Sequence, residues 1–219
     1  VFGNTRLFNG TSDKIDLGIP ASLNFERTDP FSAQQWIKTK SANNQIIVGK
    51  YDGSRGWTFF VVSDGTLRLS LINTPNTNQI RCSTTKTVND GAWHHVAFTY
   101  TGSSAASGVK IYIDGVSQTL TCDLDTLSAT IINGNANIGI GAYTNDSTFF
   151  NGSIDEVRIY NTAVSESIIS TSYIAASTNP DTLHPSTDTV IKTEGTAAQK
   201  IQTGQLPIDA ATVGYWTLD

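Results

Sequence analysis

The sequence predicts an all-β fold, a two-sheet antiparallel sandwich, on three observations. Short runs of alternating apolar and polar residues recur from the start of the chain to about residue 162. Asp-Gly and other Gly-containing turns punctuate them, and only one short stretch before residue 175 has helical character. Many short strands joined by tight turns belong to sandwiches and barrels, not to parallel α/β folds.

The elements follow in order. Ile46-Ile47-Val48 leads into the turn segment Tyr51-Asp-Gly-Ser-Arg-Gly-Trp57, and Trp57–Val62 reads as the next strand. Ser63-Asp64-Gly65-Thr66 joins it to Leu67–Leu71, and Asp-Gly between two such runs is a strong hairpin signal. Asn89-Asp90-Gly91 opens Trp93–Tyr100, and Val109–Ile113 ends at Asp114-Gly115. Ala136–Gly141 and Ile154–Tyr160 are the last strands of this stretch, with a short helix expected at Ser165–Ser170. From 176 to 211 the chain reads as a polar linker rich in Ser, Thr, Asn and Pro. Val213-Gly-Tyr-Trp-Thr-Leu-Asp219 returns to alternation, with Trp216 and Leu218 on one side. The expected organisation is a domain over 1–175, a linker over 176–211 and a terminal strand over 212–219.

Composition narrows the function classes. Of 219 residues 38% are hydrophobic, enough for a packed core, and the formal charge is -5. The chain lacks a basic patch, which weighs against nucleic acid and anionic membranes as partners. Apolar runs such as Phe59–Val62 are too short to span a bilayer. With no Met in the sequence, Val1 is not an initiator, so an upstream segment is expected to have been removed. Cys82 and Cys122 lack the C-x-x-C spacing of zinc or redox sites. They form either one disulfide, as in an oxidising compartment, or two buried thiols.

Five motifs, in order, resemble laminin-G-like domains of the concanavalin A-like group. These are Leu7-Phe8-Asn9-Gly10 with Asp13 and Ile15, Phe31–Lys38, Asn89–Tyr100 (D-G-x-W-H-H-V-A-x-T-Y), Lys110–Gly115, and Phe150–Ser165 (F-x-G-x-I-D-E-V-R-I-Y-N). The resemblance implies a jelly-roll sandwich. Such domains generally begin with a strand like G-L-V-G-Y-W-P-L-D-E, whereas this chain starts past that point and carries the similar V-G-Y-W-T-L-D at its end. That strand could return to its own domain, complete a neighbouring copy, or open a second repeat.

Catalysis is not expected. Some glucanases of this architecture use paired carboxylates, but the chain has four glutamates (Glu26, Glu156, Glu166, Glu194) and no E-x-D-x-E run. Period-two counting puts Asp155 on the face of Val157 and Ile159, where a carboxylate needs a partner. The resemblance implies a structural Ca²⁺ held by Asp155, Asp219 and Asn9, and oxygen ligands suit that ion; the alternative is a carboxylate that caps a turn or meets an arginine. For glycan contact the candidate aromatic residues are Tyr143, Phe149, Tyr51 and Trp57, while His94, His95, Phe150, Trp36, Trp93 and Trp216 read as structural. The expectation is an extracellular or cell-surface recognition module for a glycan or protein. The alternative is a fibre subunit that donates its terminal strand to a copy of itself.

Overall fold

The computed structural model describes residues 5–143 and 148–178, with the backbone of 188–192, 198–202 and 212–216. In chain order the strands are β1 (Arg6–Asn9), β2 (Ile15–Asp16), β3 (Phe31–Thr39), β4 (Gln45–Tyr51), β5 (Gly56–Val61), β6 (Thr66–Thr74), β7 (Asn78–Thr87) and β8 (Trp93–Tyr100). They continue as β9 (Val109–Ile113), β10 (Val116–Ser117), β11 (Leu120–Asp125), β12 (Ile138–Ile140) and β13 (Asn151–Tyr160). Helix α1 (Glu166–Thr178) follows, then β14 (Asp188–Lys192), β15 (Ala198–Gln202) and β16 (Thr212–Trp216).

The strands form two seven-stranded antiparallel sheets. The back sheet runs β1-β13-β3-β8-β9-β10, with β16 also on β13, and the front sheet runs β11-β7-β6-β5-β4-β12-β2. Each strand alternates, so Phe31, Val96, Phe98, Ile111 and Ile159 of the back sheet meet Trp57, Phe59, Leu69, Leu71 and Ile138 of the front sheet in one core. Phe31 is its hub, stacked on Phe25 at 4.6 Å and meeting Trp57, Phe98 and Tyr100 at 5.4, 5.5 and 5.7 Å. Aromatic side chains buried at this level contribute about 1.5–3 kcal/mol each.

The turns hold the registers the sequence encodes. Ile113 and Val116 face each other across a two-residue turn in which Asp114 (φ 54°) and Gly115 (φ 76°) are both left-handed. That geometry matches the twist of the flanking strands. Cys82 and Cys122 stand opposite each other on β7 and β11 and are joined as a disulfide.

Three expectations change. Helix α1 is longer than the sequence implied: Ser165 receives the Ile168 N–H at 3.4 Å, and the helix continues to Thr178. It is extended by contacts that local propensity cannot reveal. Tyr173 stacks on Trp36 at 5.8 Å, and Ile169 packs with Ala97, Tyr112 and Tyr160 on the outer surface of the back sheet. The segment expected as a linker contains the β14–β15 hairpin. Finally, Asp155 does not share the face of Val157. Glu156 is left-handed (φ 54°) at a bulge between Asp155 and Arg158, so Asp155 pairs with outward-facing Trp36 while Val157 and Ile159 face the core.

The terminal strand is seated in its own chain. β16 lies antiparallel to β13, with Trp216 opposite Val157 and Tyr215 opposite Arg158, while β1 occupies Asn151–Ile154 of the same edge. The two ends of the chain thus share one side of β13, end to end.

Candidate functional site

Two large outer surfaces flank the core, and α1 covers part of the one on the back sheet. On the front sheet, alternation turns one row of small and polar residues outward across successive strands. In register, Asp16 faces Gly139, Gly139 faces Gly49, Gly49 faces Thr58, Thr58 faces Ser70, and Ser70 faces Arg81. The glycines are required here. A Cβ on Gly139 would lie 2.2 Å from the Ala142 carbonyl oxygen, so its absence lets the chain fold back over β12.

That return brings Tyr143 over the row. Its ring meets Tyr51 edge-on at 5.3 Å, and its hydroxyl exchanges a hydrogen bond with the Thr58 side chain. Burial pushes its phenol up to about 12, so it is a neutral donor and acceptor at physiological pH. Tyr51 is held from the other side, donating its hydroxyl to the Gly53 carbonyl at 2.8 Å. The loop beneath is tied by Asp52, whose Oδ1 accepts from Ser54 N, Ser54 Oγ and Arg55 N at 2.9, 2.7 and 3.2 Å. Burial works against that carboxylate, but hydrogen bonds from Asn133 and Ser54 outweigh it and hold its carboxyl well below the usual range.

Beyond Thr58, the flanking row carries Phe60 opposite Arg68, and Arg68 opposite Ser83. Arg68 lies over the Phe60 ring at 5.7 Å and donates Nε to Ser83 Oγ at 2.8 Å. Arg81 is clamped by Asp123, with Nε–Oδ1 2.8 Å and Nη2–Oδ2 2.5 Å, and donates Nη1 to Asn76 at 3.0 Å. The result is a row of small residues, buried at Gly49, Thr58 and Ser70, between a partly exposed tyrosine pair and an arginine-capped phenylalanine.

The structure therefore brings together Tyr51 and Tyr143 of the four aromatic candidates. Phe149 is half-buried and forms an isolated β-bridge with Ala142, the residue before Tyr143. Trp57 is corrected: it is 1% exposed and lies in the inter-sheet core, since it alternates inward with Phe59 and Val61. Phe60, Arg68, Ser70 and Arg81 were not singled out from sequence. Their signal was there, because each alternates with buried residues such as Phe59, Leu69, Leu71 and Ile80.

Two of the three expected calcium ligands, Asn9 and Asp155, stand apart on the back sheet. Asn9 faces Asn151, four positions along β13 from Asp155, a separation on the order of 13 Å. The Asn9 side-chain Oδ1 already accepts from the N–H groups of Thr11, Ser12 and Asp13 at 2.9, 2.9 and 3.1 Å. Asp155 is buried with Oδ1 accepting from Glu156 N at 2.8 Å, and Asp219 lies outside the described residues. Among the described residues no group of three or more His, Cys, Asp or Glu side chains could hold a metal ion. His94 and His95 are buried; His94 bridges Asp114 and Asp90 at 2.9 and 3.1 Å.

With sandwich topology and motif order in place, a laminin-G-like family model, described as the concanavalin A-like lectin/glucanases superfamily, matches residues 9–170. The chain belongs to this superfamily. Among solved structures, the CBM40 of a Ruminococcus gnavus IT-sialidase bound to α2,3 sialyllactose superposes with a TM-score of 0.61 and 16% identity, over 78% of this chain and 97% of that one. Domain 4 of an extracellular GH43 arabinanase from Geobacillus stearothermophilus, in complex with arabinotriose, gives 0.58 and 23%, over 77% and 76%. A heptameric SAP-like pentraxin from Limulus polyphemus gives 0.52 and 17%, over 76% and 80%. At these identities the likeness to the three solved structures is one of fold. No curated protein matches the chain.

Proposed function

We propose that this chain is a non-catalytic carbohydrate-binding module working outside the cell, with the outer face of the front sheet as its platform. The observation that carries the reading is a set of immobilised, partly exposed rings above a row of small buried residues. Tyr51 and Tyr143 stand beside Gly49, Thr58 and Ser70, with Phe60 across the row. Sugars present an apolar ring face and a rim of hydroxyls, and aromatic side chains with a few fixed polar groups complement both. Hydrogen bonds hold Tyr51 and Tyr143 in place, so little ordering cost falls on binding.

Two further observations support the class. The carboxylates on this face are engaged, Asp123 by Arg81 and Asp16 by the Asn137 amide at 2.8 and 2.9 Å. Neither is arranged as an acid or base across a scissile bond. The Cys82–Cys122 disulfide suits an oxidising compartment. Members of the fold from Ruminococcus gnavus and Geobacillus stearothermophilus were solved with sialyllactose and arabinotriose bound.

The test is calorimetry of the intact chain against a panel of neutral and acidic oligosaccharides, repeated with Tyr51→Ala, Tyr143→Ala and Phe60→Ala. Loss of one stacking ring should weaken binding about tenfold, corresponding to about 1.4 kcal/mol, with unchanged circular dichroism. If no oligosaccharide binds, or all three variants bind as the parent does, this face is not the platform.

A further inference from the structure

We infer that the front-sheet platform selects carboxylated sugars, uronic or sialic acids, through the guanidinium of Arg68. The inference rests on the glycan reading above and names the chemistry that the same face would prefer.

The argument starts from how the two arginines of this face are used. Arg81 has its fork closed by Asp123, through Nε–Oδ1 and Nη2–Oδ2, and its remaining nitrogen is bonded to Asn76. Arg68 differs. Its Nε donates to Ser83 Oγ, and its Cζ sits 5.7 Å from the centre of the Phe60 ring. Among the described residues neither terminal nitrogen of Arg68 donates to a protein acceptor, and no carboxylate forms an ion pair with it. The Ser83 bond and the Phe60 ring fix the plane of the guanidinium, so two parallel N–H groups are held ready for an acceptor.

A planar, two-oxygen anion fits that edge better than a hydroxyl. A carboxylate takes both N–H groups in a bidentate, charge-assisted pair, while a sugar hydroxyl takes one and leaves the charge uncompensated. The surroundings add to the demand. Arg68 is partly buried, and burial, followed by the neighbouring Arg81 charge, disfavours its cation, with Asp123 and Asp64 acting in the opposite sense. A ligand carboxylate would offset both unfavourable effects by pairing the charge. The rest of the sugar would then lie along the partly exposed Phe60 ring, toward Tyr143.

The experiment uses the full chain and four probes: lactose, 3′-sialyllactose, a glucuronic-acid oligosaccharide and its methyl ester. The expected result is at least tenfold tighter binding of one or both carboxylated probes than of lactose or the ester. Arg68→Gln should abolish that preference, so that carboxylated and neutral probes bind the variant alike. Arg68→Lys should restore only part, because a lysine keeps the charge and loses the fork. Lys110→Gln, an exposed change on the back sheet, removes the same net charge and should alter nothing. The two acidic probes show which carboxylated sugar is meant. Equal binding of neutral and carboxylated probes, or a preference that survives Arg68→Gln, overturns the inference while leaving a glycan-binding platform in place. Absence of binding to every probe, together with the panel result above, overturns both.

Discussion

His94 and His95 are neighbours on β8 with opposite proton linkage. His94 bridges Asp114 and Asp90, and the Asp114 hydrogen bond, more than any other interaction, raises its pKa above the usual 6.5. His95 is fully buried between Trp36 and Tyr173, with ring centroids at 5.3 and 6.3 Å, and burial pushes it down to about 3. Neither His95 ring nitrogen has a hydrogen-bond partner among the described residues. The fold therefore favours a charged His94 and a neutral His95. Stabilisation from His94 is complete below pH 6.5 and is lost as pH rises through its raised folded value. Stabilisation from His95 is present above pH 6.5 and is lost as pH falls from there toward 3. Melting temperature should peak near neutrality. His94→Gln should lower it by roughly 2–6 °C at pH 6 and by less at pH 8.5. His95→Phe should flatten the acid limb between pH 6.5 and 4; an acid limb as steep as the parent's would place its cause elsewhere.

At the scale of elements, β13 shows where sequence reading succeeds and where it stops. The motif Ile154-Asp-Glu-Val-Arg-Ile-Tyr160 marked the strand, and its core contribution through Val157 and Ile159 followed from alternation. Alternation then misplaced Asp155, because one extra residue at Glu156 resets the parity and no local residue pattern announces it. Trp57 is a different miss: it reads as a glycan contact because it borders the Asp52–Arg55 turn, although alternation with Phe59 and Val61 places it inward. Tyr51 and Tyr143 are each picked out from the sequence, but their approach depends on Gly139 giving way to the Ala142 carbonyl where the chain folds back over β12. The bulge makes a separable prediction. Glu156 is buried and meets Arg158 at 2.6 Å, so Glu156→Ala should destabilise by about 3–5 kcal/mol in urea unfolding. Glu156→Gly loses the same carboxylate but accepts φ 54° without strain, and should be about 1 kcal/mol more stable than the alanine variant. An alanine variant as stable as the glycine one would contradict a left-handed residue at this position.

For the whole molecule, the seating of β16 decides how the chain behaves in solution. A strand at the end of a polar segment could have completed a neighbour, since an extended chain of some thirty-five residues reaches far at about 3.3 Å per residue. Within a single chain, β16 continues the edge that β1 begins, pairing Val157–Tyr160 while β1 pairs Asn151–Ile154. An edge filled from within leaves β13 without open hydrogen-bonding groups to recruit a second chain over those residues. The same arrangement makes the terminal strand part of the cooperative fold. The intact chain should therefore elute as a monomer of 23.5 kDa by light scattering at every concentration tested. Deleting residues 212–219 should cost about 2–4 kcal/mol, because several ladder hydrogen bonds of about 1 kcal/mol each are lost. It should also expose half of the β13 edge, so the truncated chain should begin to associate as its concentration rises. A peptide of residues 212–219 added in excess should reverse both effects. Polymers of the intact chain that disappear on truncation would instead mean that β16 is exchanged between copies, and the module would be a building block as well as a binder.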